Sequence, residues 1–164
     1  MKKIINPYLG MAEAEGYNCF ACAPHNEHGL HMEFYEDGDE VVCYWSPAAH
    51  FQGWTDTLHG GIQATLIDET AGWVIARKMQ TSGMTTNLNI KYKRPIPTGE
   101  HVRLEIRARI CEMKRMFALM QASIMVDGEG NVLAQGYPTE VMAQWKQAVE
   151  GLEEQEPESD LNEK

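Results

Sequence analysis

Leu58-His59-Gly60-Gly61-Ile62-Gln63-Ala64-Thr65-Leu66-Ile67-Asp68-Glu69-Thr70-Ala71-Gly72-Trp73-Val74-Ile75-Ala76-Arg77-Lys78-Met79 is the stretch in which the chain declares its architecture. Ile62, Leu66, Thr70, Trp73 and Val74 recur at helical spacing, and neither proline nor a period-two pattern interrupts them. The spacing predicts a helix over Gly60 to Met79, about 27 Å long at about 1.5 Å per residue. Before Arg77 its strongly polar residues are Gln63, Asp68 and Glu69 alone. A helix this apolar is normally enclosed, which implies an α+β arrangement with an antiparallel sheet curled around one long central helix.

The flanking segments read as the strands of that sheet. Leu30, Met32 and Phe34, then Val42 and Tyr44, alternate with polar positions around Glu36-Asp37-Gly38-Asp39, the pattern of a hairpin. Leu88, Ile90 and Tyr92 alternate with Asn87, Asn89, Lys91 and Lys93 and predict a strand that Arg94-Pro95-Ile96-Pro97-Thr98-Gly99 terminates. Val102 to Ile110, Phe117 to Val126 and Asn131 to Met142 continue the series as a meander, with Asp127-Gly128-Glu129-Gly130 between the last two. A short helix near Asn6 to Gly16 is a further expectation.

With 164 residues the chain accommodates one core, placed at 1–149 with a short N-terminal segment 1–18. Residues 150–164 carry seven acids and one base, and account for −6 of the formal charge of −10; with Leu152 and Leu161 as their main apolar residues, they are expected to stay unfolded. The acidity argues against a nucleic-acid partner. The lack of any run of about 18 apolar residues argues against a membrane one. The cytoplasm is the expected location, and Cys19, Cys22, Cys43 and Cys111 are then reduced thiols.

Chemistry is suggested first by Leu58-His59-Gly60-Gly61. Glycine at a helix entry exposes backbone N–H groups that lack intrahelical partners, and these, backed by the helix dipole, suit a developing oxyanion. Two glycines also serve a plain tight turn. The second signal is Asp68, a carboxylate among Ala64, Leu66, Ile67 and Ala71, where an unpaired charge is costly. Such a buried carboxylate is a nucleophile or base candidate. Glu69 is rotated from it by about 100°, so only one of the two can face a given site. Eight residues separate Asp68 from Gly60, about 12 Å along the helix, too far to act on one carbonyl within one chain. Two copies with antiparallel helices would bring Asp68 of one beside the helix start of the other, which predicts a homodimer.

At this point the sequence resembles the hotdog-fold acyl-CoA thioesterases of the phenylacetate-degradation (PaaI-like) type. The resemblance rests on His59 to Glu69 together with Met84-Thr85-Thr86-Asn87-Leu88-Asn89-Ile90-Lys91-Tyr92-Lys93-Arg94-Pro95-Ile96-Pro97, and extends from about Cys19 to Met142. It implies a five- or six-stranded antiparallel sheet around the helix, dimers that pair further into tetramers, and hydrolysis of an acyl-CoA thioester without any cofactor beyond the coenzyme A of the substrate. Carried over by position, Asp68 is the nucleophile or the base that activates water, Gly60 the oxyanion amide, His59 the group that orients the carbonyl, and Thr85 a hydroxyl that places the water. Gly61, Trp54, Glu69 and Gln52 (or His50) are assigned to substrate binding, and Lys91 and Arg94, with Lys93, Lys114 and Arg115 near, to the phosphates of coenzyme A. Trp54, Trp73, Met79 and Met84 are expected to wall a pocket for an aromatic or a short to medium aliphatic acyl group.

Rival readings have weaker support. Cys19-Phe20-Ala21-Cys22 followed by His25, His28 and His31 has zinc-ligand chemistry but not the usual finger spacing, and no metal is assigned. A hydratase on the same fold would need a histidine base paired with a carboxylate. A non-catalytic acyl-CoA-binding protein would show binding without turnover.

Overall fold

The structure, a computed structural model, describes residues 1–11 and 16–126. Among the described residues, seven strands and one α-helix follow in the order β1 (Lys2–Lys3), β2 (Phe34–Asp37), β3 (Glu40–Trp45), β4 (Gln52–Trp54), β5 (Thr57–Leu58), α1 (Gly60–Lys78), β6 (Leu104–Lys114) and β7 (Phe117–Val126). β1-β2-β3-β6-β7 form an antiparallel sheet of five strands, and β4 and β5 make a separate small ribbon.

Cross-strand register explains why α1 docks where it does. Phe34 pairs with Cys43, Cys43 with Ile106, and Ile106 with Ile124, so one row of apolar side chains runs across four strands on a single face. Val41, Ala108 and Ala122 form a parallel row on the same face, and the small alanines leave room for the helix. Against these rows α1 buries Gln63, Leu66, Thr70, Trp73 and Val74, the stripe that its sequence spacing marks. Trp73 stacks on Phe34 with ring centroids 5.0 Å apart. Thr70 stays satisfied at full burial by donating to the Leu66 carbonyl at 2.7 Å, and Gln63 donates to the Leu58 carbonyl at 3.1 Å.

The opposite sheet face mixes charged side chains with the fully buried Val42. Arg107 there binds Asp37 and Glu40 at 2.9 and 2.8 Å and also Glu105, and together these hold its guanidinium well above the usual range. At the far end of α1, Arg77 and Lys78 meet Glu36 of the β2–β3 hairpin at 3.1 and 3.3 Å, and Arg77 in particular lowers the Glu36 carboxyl. Cations in the last helical turn also offset the helix dipole.

Four expectations need correction. Residues 87–93 form no strand: their alternation makes an extended two-faced segment, but among the described residues no neighbour pairs with its backbone, and alternation without a ladder is not a strand. Leu30 and Met32 do not extend the hairpin, because their amides are taken by the carbonyls of Phe20 and Ala21 at 2.8 and 2.9 Å. The helix is covered by the sheet on one face only rather than enclosed, and Met79 is its C-cap. Near the N-terminus, Pro7–Met11 form a 3-10 turn where the helix expected over Asn6 to Gly16 would begin, and the part of that expectation at 12–15 lies outside the described residues. The expectations for Asn131 to Met142 and for the tail 150–164 lie outside the described residues.

Candidate active site

The helix entry is built by three local devices. The β4–β5 ribbon turns at Asp56 with φ of 54° and delivers Leu58 into the core at 2 % exposure. Leu58 N–H donates to the Ile96 carbonyl at 2.8 Å, and His59 N–H to the Phe51 carbonyl at 2.9 Å, which clamp the residues just before the helix. Gly53 of β4 passes so close to His59 that a Cβ there would lie 2.9 Å from the ring and 3.1 Å from its Cα. Glycine at 53 is therefore required by close approach.

His59 is the N-cap, and its Nδ1 accepts the Gly61 N–H at 2.9 Å. Nδ1 as acceptor makes Nε2 the protonated nitrogen of the neutral ring, so a hydrogen-bond donor is left pointing outward from the exposed side chain. The Gly61 amide is used in this cap, whereas the Gly60 N–H has no acceptor among the described residues. Tyr92 closes over this glycine, its hydroxyl donating to the Gly60 carbonyl at 2.9 Å and its ring lying 3.4 Å from where a Cβ would stand. Tyr92 escaped sequence reasoning because it filled an apolar position in an alternating run.

Asp68 lies on the helix face turned away from the core. It is half-buried in an open groove of about 920 Å³, between α1 and the extended segment 79–96, with one wall from β7. Thr85 crosses the groove and donates from Oγ1 to Asp68 Oδ1 at 2.6 Å. Two residues assigned to the chemistry from sequence, 17 positions apart, are thus in direct contact, and the second oxygen of Asp68 stays available. A bond of this kind fixes the orientation of the carboxylate. Met79 and Met84 line the groove as expected, and so do Lys91, Lys93 and Arg94, for which no acidic partner exists among the described residues.

Other assigned residues fall elsewhere. Trp73 is a core residue on the far face of the helix and not a pocket wall, since five residues past Asp68 is about 140° around the axis. Glu69 also turns away from the groove and accepts from Trp73 Nε1 at 3.0 Å. Gln52 is exposed and braces the ribbon turn by accepting the Asp56 N–H at 3.2 Å, while Trp54 ends β4 half-buried. The His50 ring lies against Phe51, with centroids 4.0 Å apart. Lys114 pairs with Glu112 at 3.4 Å, and Arg115 sits in the β6–β7 turn with φ of 55°. Behind the helix, burial and the Glu69 carboxylate push the Cys22 thiol upward, and Cys22, Cys19 and Glu69 make the set of metal-ligating atoms that the described residues bring together.

Comparisons with known proteins bear on the fold and on the family the chain is similar to. Residues 55–133 match the family model described as the thioesterase superfamily. The acyl-coenzyme A thioesterase THEM4 of Rattus norvegicus is 37% identical over 95 residues, covering 56% of this chain and 40% of that protein. The chain therefore spans less than half the length of this relative. A crystal structure of a thioesterase superfamily protein superposes with a TM-score of 0.64 at 23% identity over 71% of this chain and 58% of the other. The E. coli PaaI protein from the phenylacetic acid degradation operon superposes with a TM-score of 0.54 at 16% identity, over 60% of this chain and 73% of the other. No helix among the described residues is long and apolar enough to cross a membrane. With the helix-on-sheet layout, the His59-Gly60-Gly61 entry and these likenesses, the chain has the hotdog fold of the PaaI-like proteins, and its residues 55–133 are similar to the thioesterase superfamily.

Proposed function

We propose that the chain is an acyl-CoA thioesterase that hydrolyses a small aromatic or a short to medium aliphatic acyl-CoA to the free acid and coenzyme A. The observation that carries this reading is the 2.6 Å bond from Thr85 to Asp68 in a groove with apolar walls and, along one rim, three cations without an acidic partner among the described residues. Asp68 acts through its second oxygen as nucleophile or general base. As base it takes a proton from water, the hydroxide adds to the thioester carbon, and the resulting oxyanion is held by the Gly60 N–H with support from the helix dipole. The intermediate then collapses, the C–S bond breaks, and the thiolate of coenzyme A leaves and picks up a proton. As nucleophile, Asp68 adds to the thioester carbon and the C–S bond breaks, so that coenzyme A leaves as a thiolate that takes up a proton, and water then hydrolyses the mixed anhydride to the free acid and the Asp68 carboxylate. His59 Nε2–H stands at the same helix entry as a donor to the carbonyl oxygen.

Asp68 and Gly60 are about 12 Å apart along one helix, so the working site pairs Asp68 of one protomer with Gly60 of another across a two-fold axis. A homodimer is the minimal active form, with a tetramer as its further association. Lys91, Lys93 and Arg94 suit the phosphates of coenzyme A as point charges and as a planar fork. The reaction requires no cofactor, nucleic acid or membrane, and the cytoplasm supplies the substrate. A panel of acyl-CoA thioesters assayed by free thiol release tests the reading. Thiol release dependent on Asp68 supports it, and tight binding of the panel without any release would make the protein a binder instead.

A further inference from the structure

Behind α1, on the face opposite the groove, three ligating side chains from distant parts of the sequence meet. The Sγ atoms of Cys19 and Cys22 and a carboxylate oxygen of Glu69 lie within 4.8 Å of one another. Cys19 Sγ stands 3.8 and 3.9 Å from the two oxygens of Glu69. Zinc–sulfur and zinc–oxygen bonds of about 2.3 and 2.0 Å around a tetrahedral ion separate neighbouring donors by roughly 3.5 to 3.8 Å. The cluster is spaced for a cation, and all four cysteines are free thiols.

The surroundings orient these atoms as a second shell does. Trp73 Nε1 donates to Glu69 Oε1, and Oε2 is engaged by the Cys19 thiol. Asn6 Nδ2 donates to the Tyr17 hydroxyl at 3.0 Å, which directs that hydroxyl toward Cys22 Sγ 2.9 Å away. The Cys19–Cys22 turn is held by an Ala23 N–H to Cys19 carbonyl bond of 3.1 Å and by the bonds from Leu30 and Met32. Every donor around the cluster is neutral, and no cationic side chain among the described residues pairs with Glu69. A divalent cation that expels both thiol protons to solvent leaves the net charge of the pocket unchanged, because two protons go as two positive charges arrive. The nearby histidines take no part: His25 Nε2 bonds the Tyr17 carbonyl at 2.7 Å and His31 Nε2 the Asn26 carbonyl at 2.6 Å, both bracing the loop.

We propose that Cys19, Cys22 and Glu69 form a site for a zinc-class divalent cation, with solvent in the fourth position, that clasps the N-terminal loop to α1 one residue past Asp68. The site is structural and stands apart from the thioesterase reading, which needs no metal. Glu69 is the ligand the sequence concealed, lying 47 positions beyond Cys22.

The full chain without a polyhistidine tag, purified in the absence of chelators, should carry about one zinc per chain by mass spectrometric metal analysis. Cobalt substituted into it should show thiolate-to-cobalt charge-transfer bands. Cys19→Ser and Glu69→Gln should each weaken cobalt binding at least about tenfold, while Cys111→Ser at an exposed position titrates as wild type. Should the variants fold poorly, the wild-type chain alone decides: saturating zinc should protect Cys19 from alkylation and leave Cys111 reactive. A metal-free protein whose Cys19 alkylates equally with and without zinc, or cobalt binding that lacks thiolate bands or survives Cys19→Ser, would overturn the proposal.

Discussion

At the scale of single residues, the structure joins Thr85 to Asp68 in a direct hydrogen bond, and the proposed function assigns each a role that substitution can test. Asp68→Asn keeps the size and the hydrogen bond but removes the charge, and should lower turnover at least about a hundredfold with the fold intact, as read by steady-state thiol release and circular dichroism. Near-normal hydrolysis would end the mechanism. Thr85→Ala removes one bond to that carboxylate, worth about 1.5 to 3 kcal/mol, and should cost about tenfold to a hundredfold in kcat. Gly60 permits a sharper substitution. It is the first helical residue, preceded by His59 in extended backbone with ψ of 134°, a setting that accepts proline. Gly60→Pro deletes the one N–H assigned to the oxyanion and should cost about a hundredfold to a thousandfold in kcat while the helix survives. Asp68 and Gly60 drew attention in the sequence because their residue types are improbable or demanding where they stand, whereas Thr85 was reached only through the family resemblance. Tyr92 and Gln63 were not legible, since a tyrosine in an alternating run and a glutamine in a helix look ordinary until their hydrogen bonds are visible.

At the scale of elements, the apolar periodicity of α1 gave its position to within a residue at each end. Periodicity states which face is buried and not how much of the remainder is covered, which is why the fully enclosed helix was an overreach. The same limit explains residues 87–93: alternation describes side chains, whereas a strand is defined by a partner backbone. Between sheet and helix, Leu66 is fully buried, so Leu66→Ala should destabilise by about 2 to 5 kcal/mol in urea titration. Cys43 on β3 makes a pH test. Burial pushes its thiol up to about 12, from 9.0. The folded state thus favours the neutral thiol, and the stability it contributes is complete below about pH 9 and declines as pH rises toward 12. The urea midpoint of the wild type should fall over that interval, and Cys43→Val should lessen the fall. An unchanged slope in the variant would show that Cys43 is not its source.

At the scale of the whole molecule, the spacing between Asp68 and Gly60 carries more than either residue does. One helix cannot bring the two together, so the proposed mechanism ties activity to assembly, and dilution below the dimer dissociation constant should abolish turnover along with the dimer sought by analytical ultracentrifugation. The groove fits that view, with the Asp68 face of α1, Met84 and the cations of 91–94 left outside the sheet-covered core. The most direct measurement is activity in mixed dimers of the Asp68→Asn and Gly60→Pro chains, refolded together at equal amounts. Random pairing leaves one wild-type site in each mixed dimer, and turnover should recover to roughly a quarter of the wild-type value. Verified mixed dimers no more active than either parent would contradict a site shared between protomers.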